Sequence, residues 1–328
     1  FLRLSYPGDV HEFGFELALW AQLEATTAAV VARQLGGTVV APGSRIVDVV
    51  LVEPGPEFDD RTRISDRRIP TLAVESDVGV GSAVYWKDAF DCHPERAREV
   101  TDWALAVGFF ERDRRGGREY VRRTTRYPDW FSTLTAVENK PDLGTPGDLK
   151  RQLRTDVSLG LFDEVVLATE SYVTRAHLNR IPEEVGVWRF DPETGERAVV
   201  REPTELDVDA TGVELLDQHP LRTDVGFVDT AEKARIRRRV AEKAYGKGWR
   251  SYDLPACAHA TTTDDGRPYC SQFDRVVDPG TECGAVCTAH DPADPPNVDL
   301  AALRDERSAW VADPEGVVRR QAGLDRFR

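Results

Sequence analysis

The chain has 328 residues, 57 acidic against 43 basic, for a formal net charge of −14. Only 41% of residues are apolar and no run approaches the ~18 that a membrane helix needs, so a transmembrane span is excluded, as are collagen-like and low-complexity chains. The basic set is six lysines against 37 arginines, the bias of a protein working in molar salt, where hydrated carboxylates keep a surface soluble and the Debye length falls to about 3 Å. Under such screening counterion release contributes little, so net acidity does not argue against a nucleic-acid partner, and local basic clusters must be read instead. The length suggests two domains, or one carrying insertions. Residues 1–13 lack the apolar stretch and small-residue site of a secretory signal, so a cytoplasmic location is expected. The chain holds no methionine, and a valine start at Val10 would leave residues 1–9 outside the fold.

Residues 12–35 set Phe13, Phe15, Leu17, Leu19, Trp20, Leu23, Val30 and Leu35 among Ala and Glu and stop at Gly36-Gly37. That pattern predicts one or two helices with a glycine C-cap. Residues 46–52 are a β-branched run closed by Pro54-Gly55, a buried strand with one carboxylate, Asp48, in its middle. Residues 59–128 read as an inserted module. It holds a helix over 91–107, entered at His93-Pro94, then two short strands around Gly116-Gly117 that carry Arg114, Arg115 and Arg118. A helix followed by a basic, glycine-tipped hairpin resembles the end of a winged helix-turn-helix, and these arginines are candidate nucleic-acid contacts.

A strand over 134–140, a helix over 148–159 and a strand over 164–169 follow, then a hairpin of strands 185–190 and 198–201. Strand–helix–strand implies a crossover in a mixed sheet with helices on its faces. Residues 202–230 are acidic and irregular and read as a linker. The span 231–250 is a basic helix with charge on most faces, hence solvated, and its Arg235, Arg238 and Arg239 are further candidate nucleic-acid contacts. The tail, 293–328, carries one helix near 299–311.

Glu138 and Lys140 lie two apart on a strand and leave the same face. A lone carboxylate in a buried strand is costly, so Asp48 needs a partner. Asp48 and Glu138 on neighbouring strands would make an oxygen-rich pocket for Mg2+ or Mn2+, with Lys140 assisting a water or stabilising charge on a phosphate. The competing reading makes Glu138 and Lys140 an exposed ion pair and Asp48 a turn cap.

Asp48, then Glu138-Asn139-Lys140, then a helix bearing Gln152, resembles the PD-(D/E)XK, restriction-endonuclease-like nuclease superfamily, whose core runs helix, three strands, helix, strand. The resemblance covers residues 12–55 and 130–200. It implies a discontinuous core, 10–58 and 129–201, that cleaves DNA with Asp48 and Glu138 as metal ligands and Lys140 as catalytic cation. It also implies a supporting polar residue on the following helix, Gln152 or Asp156, and a glutamate on the first, Glu16 or Glu24. Two departures stand: no Pro-Asp pair is present at Asp48, and about 90 residues separate the two halves of the motif. The alternative is a non-catalytic DNA-binding protein that keeps this fold. The whole chain also resembles an uncharacterised haloarchaeal protein family, which implies no activity.

Four of the five cysteines, Cys257, Cys270, Cys283 and Cys287, fall within a core-poor segment, 251–292. In a reducing compartment such clustering indicates metal rather than disulfide. Four thiolates suit a structural Zn2+, with His259 and His290 as possible substitutes and a [4Fe–4S] cluster as the alternative. Cys92, beside His93, reads as a small packed hydrophobe. The expected fold is thus α/β: a restriction-endonuclease-like mixed sheet flanked by helices, with a winged-helix-like insertion and a small C-terminal four-cysteine module.

Overall fold

The computed structural model describes residues 7–316 apart from Pro146 and Ser251, with side chains from residue 12 onward. Helix α1, Pro7–Thr26, is closed by Thr26 and Thr27, whose hydroxyls donate back to the carbonyls of Gln22 and Leu23 at 2.8 Å. It begins within the segment expected to lie outside the fold; residues 1–6 of that segment are beyond the described residues. The chain then turns into strand β1, Val30–Gly36, where a helix was expected. The reason is tertiary: β1 pairs antiparallel along β2, Ile46–Pro54, from Val30 opposite Val52 to Gly36 opposite Ile46.

The insertion follows as α2 (Phe58–Thr62), α3 (Thr71–Glu75), β3 (Val84–Tyr85), α4 (Pro94–Ala106), β4 (Phe110–Arg115) and β5 (Arg118–Arg123). His93 caps α4 by accepting the Glu95 amide, and Gly116 and Gly117 turn the hairpin with φ of +55° and +79°. The three strands order β3-β5-β4, and Ile69, Ala73, Val100, Ala104, Phe109 and Val121 give the insertion its own core. It is tied to the rest by Arg61, fully buried, which pairs with Glu242 at 2.8 and 2.9 Å.

The main sheet resumes with β6 (Phe131–Asn139), α5 (Leu149–Leu159), β7 (Glu164–Thr169), α6 (Arg175–Leu178), β8 (Gly186–Phe190) and β9 (Arg197–Arg201). Its order is β1-β2-β6-β7-β8-β9, with β6, β7 and β8 parallel and the outer pairings antiparallel. The central strands are buried on both faces over most of their length, which is why they read as largely apolar runs without strict alternation. Val49, Val137 and Val166 meet Phe15, Leu19 and Leu23 of α1. Val50, Ala136 and Leu167 meet Leu149 and Leu153 of α5, together with Ile236, Val240 and Tyr245 of a later helix. The structure is therefore a mixed sheet flanked by helices.

Residues 202–230 are not a linker. They hold the hairpin β10 (Gly212–Gln218) and β11 (Thr223–Val228), packed on α5. The Glu214 carboxylate is fully buried and accepts the amides of Val39, Val40 and Ala41 at 2.7, 2.8 and 3.0 Å. A Cβ at Gly212 would overlap the Leu159 carbonyl oxygen, so only glycine lets the hairpin sit there.

The basic helix α7, Thr230–Gly246, is not solvated on all sides. Lys233 is buried and donates to the carbonyls of Asp207 and Ala210, while Arg237 donates to Leu161 and pairs with Asp163 at 2.8 Å. The cysteine segment forms a small sheet of β12 (Ala260–Thr262), β13 (Pro268–Cys270) and β14 (Arg275–Val276), and α8, Leu300–Arg307, lies in the tail. Among the described residues no helix is long and apolar enough to cross a membrane.

Candidate active site at the parting of two strands

The register that sets Val49 opposite Val137 places Asp48 across from Glu138. Here β6 leaves β2. The Asn139 amide is taken by the Asp48 side chain, Oδ2 at 2.9 Å, and the Lys140 amide donates to Ala168 on β7. The gap between the strands is thus filled by a carboxylate instead of a backbone ladder.

A residue the sequence reading did not single out completes the group. Arg45, immediately before β2, is buried and donates to Glu138 Oε2 at 2.6 Å and to Asp156 Oδ2 and Oδ1 at 2.8 and 3.2 Å. It also donates to the Ile46 carbonyl. Burial pushes Glu138 up to about 8; the charge of Asp48 adds to this and Arg45 opposes it. Burial likewise pushes Asp48 up to about 6, with Glu16 and Glu12 adding and the Asn139 amide and Arg45 opposing. Asp156 is raised by burial against the pull of Arg45. Burial works against charge on Arg45, but Asp156 and Glu138 more than offset it, so the guanidinium is held more firmly protonated.

Asp48 Oδ1 and Glu138 Oε1 accept no hydrogen bond among the described residues. The amide side chain of Asn139 is buried, and neither its oxygen nor its nitrogen has a partner among the described residues. Water or a ligand normally satisfies such a group.

Lys140 Nζ lies 3.6 Å from Glu12 Oε1 on α1, and Asp48 feels the charge of that same glutamate. Lys140 therefore stands at the α1 side of the group. Gln152 is on its other side, one turn before Asp156 on α5, lining a cleft of about 470 Å3 with Ser44, Arg45, Asp148 and Arg151. Of the two helix glutamates, Glu16 is held by Arg33 at 2.5 Å and by Gln34. Glu24 pairs with Arg250 at 2.9 Å, facing the cysteine module, and burial raises it to about 7 against the charge of Arg250.

The structure brings Asp48 and Glu138 together and sets Lys140 and Gln152 on opposite flanks. Among the described residues no three or more His, Cys, Asp or Glu side chains are arranged so that they could hold a metal ion by themselves.

The candidate nucleic-acid arginines fall into two patches. On the hairpin Arg115 pairs with Asp113 at 2.7 Å, Arg118 lies over the Tyr85 ring, and Arg114 is exposed with no ion-pair partner among the described residues. On α7, Arg235 and Arg239 line a cleft of about 600 Å3 with Arg68, Arg96 and Trp103, but also with Glu75 and Glu99. Arg238 reaches Glu75 at 3.4 Å.

Cys92 is half-buried and free. Cys257, Cys270, Cys283 and Cys287 are free thiols that line one cavity of about 380 Å3, together with His259 and His290. Burial pushes Cys283 up to about 11, and Cys270, Cys287, Glu282 and Cys257 add their charge.

A family model matches residues 30–292, from β1 through the cysteine module, and the chain belongs to that family of unknown function, DUF5787. No curated protein and no solved structure matches the chain.

Proposed function

We propose that this DUF5787 member is a divalent-metal-dependent nuclease acting on DNA, built on a restriction-endonuclease-like core with a winged-helix-like insertion. The observation that carries the reading is Asp48 opposite Glu138 where β2 and β6 part, each keeping one carboxylate oxygen without a hydrogen bond among the described residues. The order of elements supports it: α1, the antiparallel β1-β2-β6, then α5 and a parallel β7. So does the insertion, where β3 pairs with the second strand of the hairpin that follows α4, as in a winged helix.

The donor set fits Mg2+ or Mn2+. Mg2+ is a hard cation that takes one or two carboxylates and keeps several waters, so a site without a third protein ligand is of the expected kind. Bound there, the cation would stabilise charge on the scissile phosphate and lower the pKa of a water.

The remaining steps belong to the chain's own residues. Arg45 fixes the Glu138 carboxylate through Oε2 and does not engage Oε1, while the Asn139 amide fixes Asp48 through Oδ2 and does not engage Oδ1. Lys140, about one quarter exposed beside Glu12, holds the attacking water or the phosphate through a charge-assisted hydrogen bond. Gln152 orients the backbone phosphate from the α5 cleft. The α4 surface exposes Glu95, Glu99 and Asp102, so DNA contact is assigned to Arg114, Arg115 and Arg118 on the hairpin and to Arg235, Arg238 and Arg239 on α7. Five free thiols accord with a cytoplasmic setting.

One observation favours a second reading, a DNA-binding protein without cleavage: the Arg45 guanidinium already neutralises Glu138. Cleavage of duplex and single-stranded DNA with Mg2+ or Mn2+, in molar and in dilute KCl, separates the two. Cleavage abolished by Asp48→Asn and by Lys140→Ala supports the nuclease. DNA binding without cleavage supports the second reading, and cleavage that survives both substitutions overturns the assignment of the site.

A further inference from the structure

We propose that Cys257, Cys270, Cys283 and Cys287 together hold one thiophilic metal centre, a zinc ion or an iron–sulfur cluster, that folds and anchors the C-terminal module. The inference is independent of the nuclease reading.

The thiols arrive from separate parts of the module on backbone that is already fixed. The Cys257 carbonyl accepts the Ala260 amide at 3.0 Å, and Cys257 bridges to Pro292. Cys270 ends β13, paired with Ala260 across the sheet. Cys283 and Cys287 flank a turn whose Gly284 takes φ of +81° and whose Cys287 amide donates to the Gly284 carbonyl. These segments share little sequence neighbourhood, yet all four sulfurs line the same cavity, with no disulfide among them.

The module has little apolar core of its own. Its strands are two or three residues long, and Val277 and Pro268 are its buried apolar side chains among the described residues. A sheet this small with so little core does not stand alone in water, and chains of this kind are usually stapled by disulfides or a metal. The four thiols are unpaired and gathered on one cavity with His259 and His290, which is the donor set a thiophilic metal takes. The cysteines would enter as thiolates, each releasing its proton to solvent. They surround the cavity and do not already meet at a point. A cluster would meet such thiols at its corners; a single zinc ion would draw them inward. The module packs on the core behind α1 through Tyr252 and Val276, and the Arg250–Glu24 pair just before it is almost fully buried. Metal in the cavity therefore also secures one side of α1.

The test uses the full chain, purified without chelator under argon, with metal per chain measured by plasma mass spectrometry alongside the absorption spectrum. Stoichiometric zinc without visible colour supports the centre as an ion. Iron and acid-labile sulfide with a broad visible absorbance that dithionite bleaches supports it as a cluster. Cys283→Ser is expected to lose the metal and Cys92→Ser to keep it. If Cys283→Ser does not fold, titrating the wild-type thiols with a mercurial gives a second readout, metal release that tracks modification of the module cysteines. Substoichiometric zinc and iron with all five thiols reacting at once, or a disulfide among the four, overturns the proposal.

Discussion

Replacing Arg45 by methionine removes the cation between two buried carboxylates while keeping a long apolar side chain in its place. The lost contacts are those to Glu138 at 2.6 Å and to Asp156 at 2.8 and 3.2 Å, on partners 6% and 1% exposed. Breaking a buried ion pair from one side costs about 3–5 kcal/mol. Protonation limits that cost, because Glu138 already titrates near about 8 with Arg45 present and Asp156 is also raised, in both cases through burial first. A carboxyl whose folded pKa lies above its unfolded value destabilises the fold progressively as pH rises between the two. For Glu138 that window opens at the ordinary 4.5 and closes near about 8, and without Arg45 its upper end moves higher. Arg45→Met should therefore lose the full amount, about 3–5 kcal/mol, only at alkaline pH, and far less in mild acid where two protons replace the guanidinium. Urea unfolding followed by tryptophan fluorescence reads this, since Trp130 is fully buried in the core. Added Mg2+ should restore part of the alkaline loss, because a cation that binds only the folded state stabilises it by mass action. A loss below about 1 kcal/mol at alkaline pH, or equal losses at both pH values, refutes the reasoning.

Three more expectations follow from the same geometry. Glu242→Gln leaves Arg61 fully buried without its counterion and should cost about 3–5 kcal/mol, seen as a lower thermal midpoint. Lys140→Ala removes a side chain whose one ion partner among the described residues is 3.6 Å away, so the melting curve should hardly move while cleavage falls about 100-fold or more. Mg2+ affinity, read by calorimetry, should rise with pH between about 6 and about 8 with proton release, because Asp48 and Glu138 must both be ionised to bind; a flat pH dependence counts against this.

Asp48 and Glu138 were legible in the sequence because each is a carboxylate inside an apolar, β-branched run, where an unpartnered charge is costly. Arg45 was not, since it precedes its strand and finds Asp156 across 111 residues of chain. The misread β1 follows directly on α1 in a continuous apolar pattern, and only the paired threonines 26 and 27 mark the break. The hairpin of β10 and β11 looked like a linker because its outer face is exposed, Phe227 and Val225 included, and its acidic Glu214 is buried by three amides from a distant loop. On α7, Lys233 and Arg237 read as surface charge, but carbonyls from residues 161, 207 and 210 make burial affordable. For Arg45, the β10–β11 hairpin and α7 a long-range polar partner overrode the local pattern; for β1 it was pairing with β2. Apart from β1, the strands and helices of the sheet, set by apolar periodicity, were read nearly in place.

Manganese binding, followed by the loss of the free-ion electron paramagnetic resonance signal, tests the central claim most directly. The wild-type chain should show one saturable site displaced by Mg2+, removed in an Asp48→Asn, Glu138→Gln double variant that retains the native helical signal. Free manganese undiminished by the wild-type chain, or binding unchanged in the double variant, would contradict it.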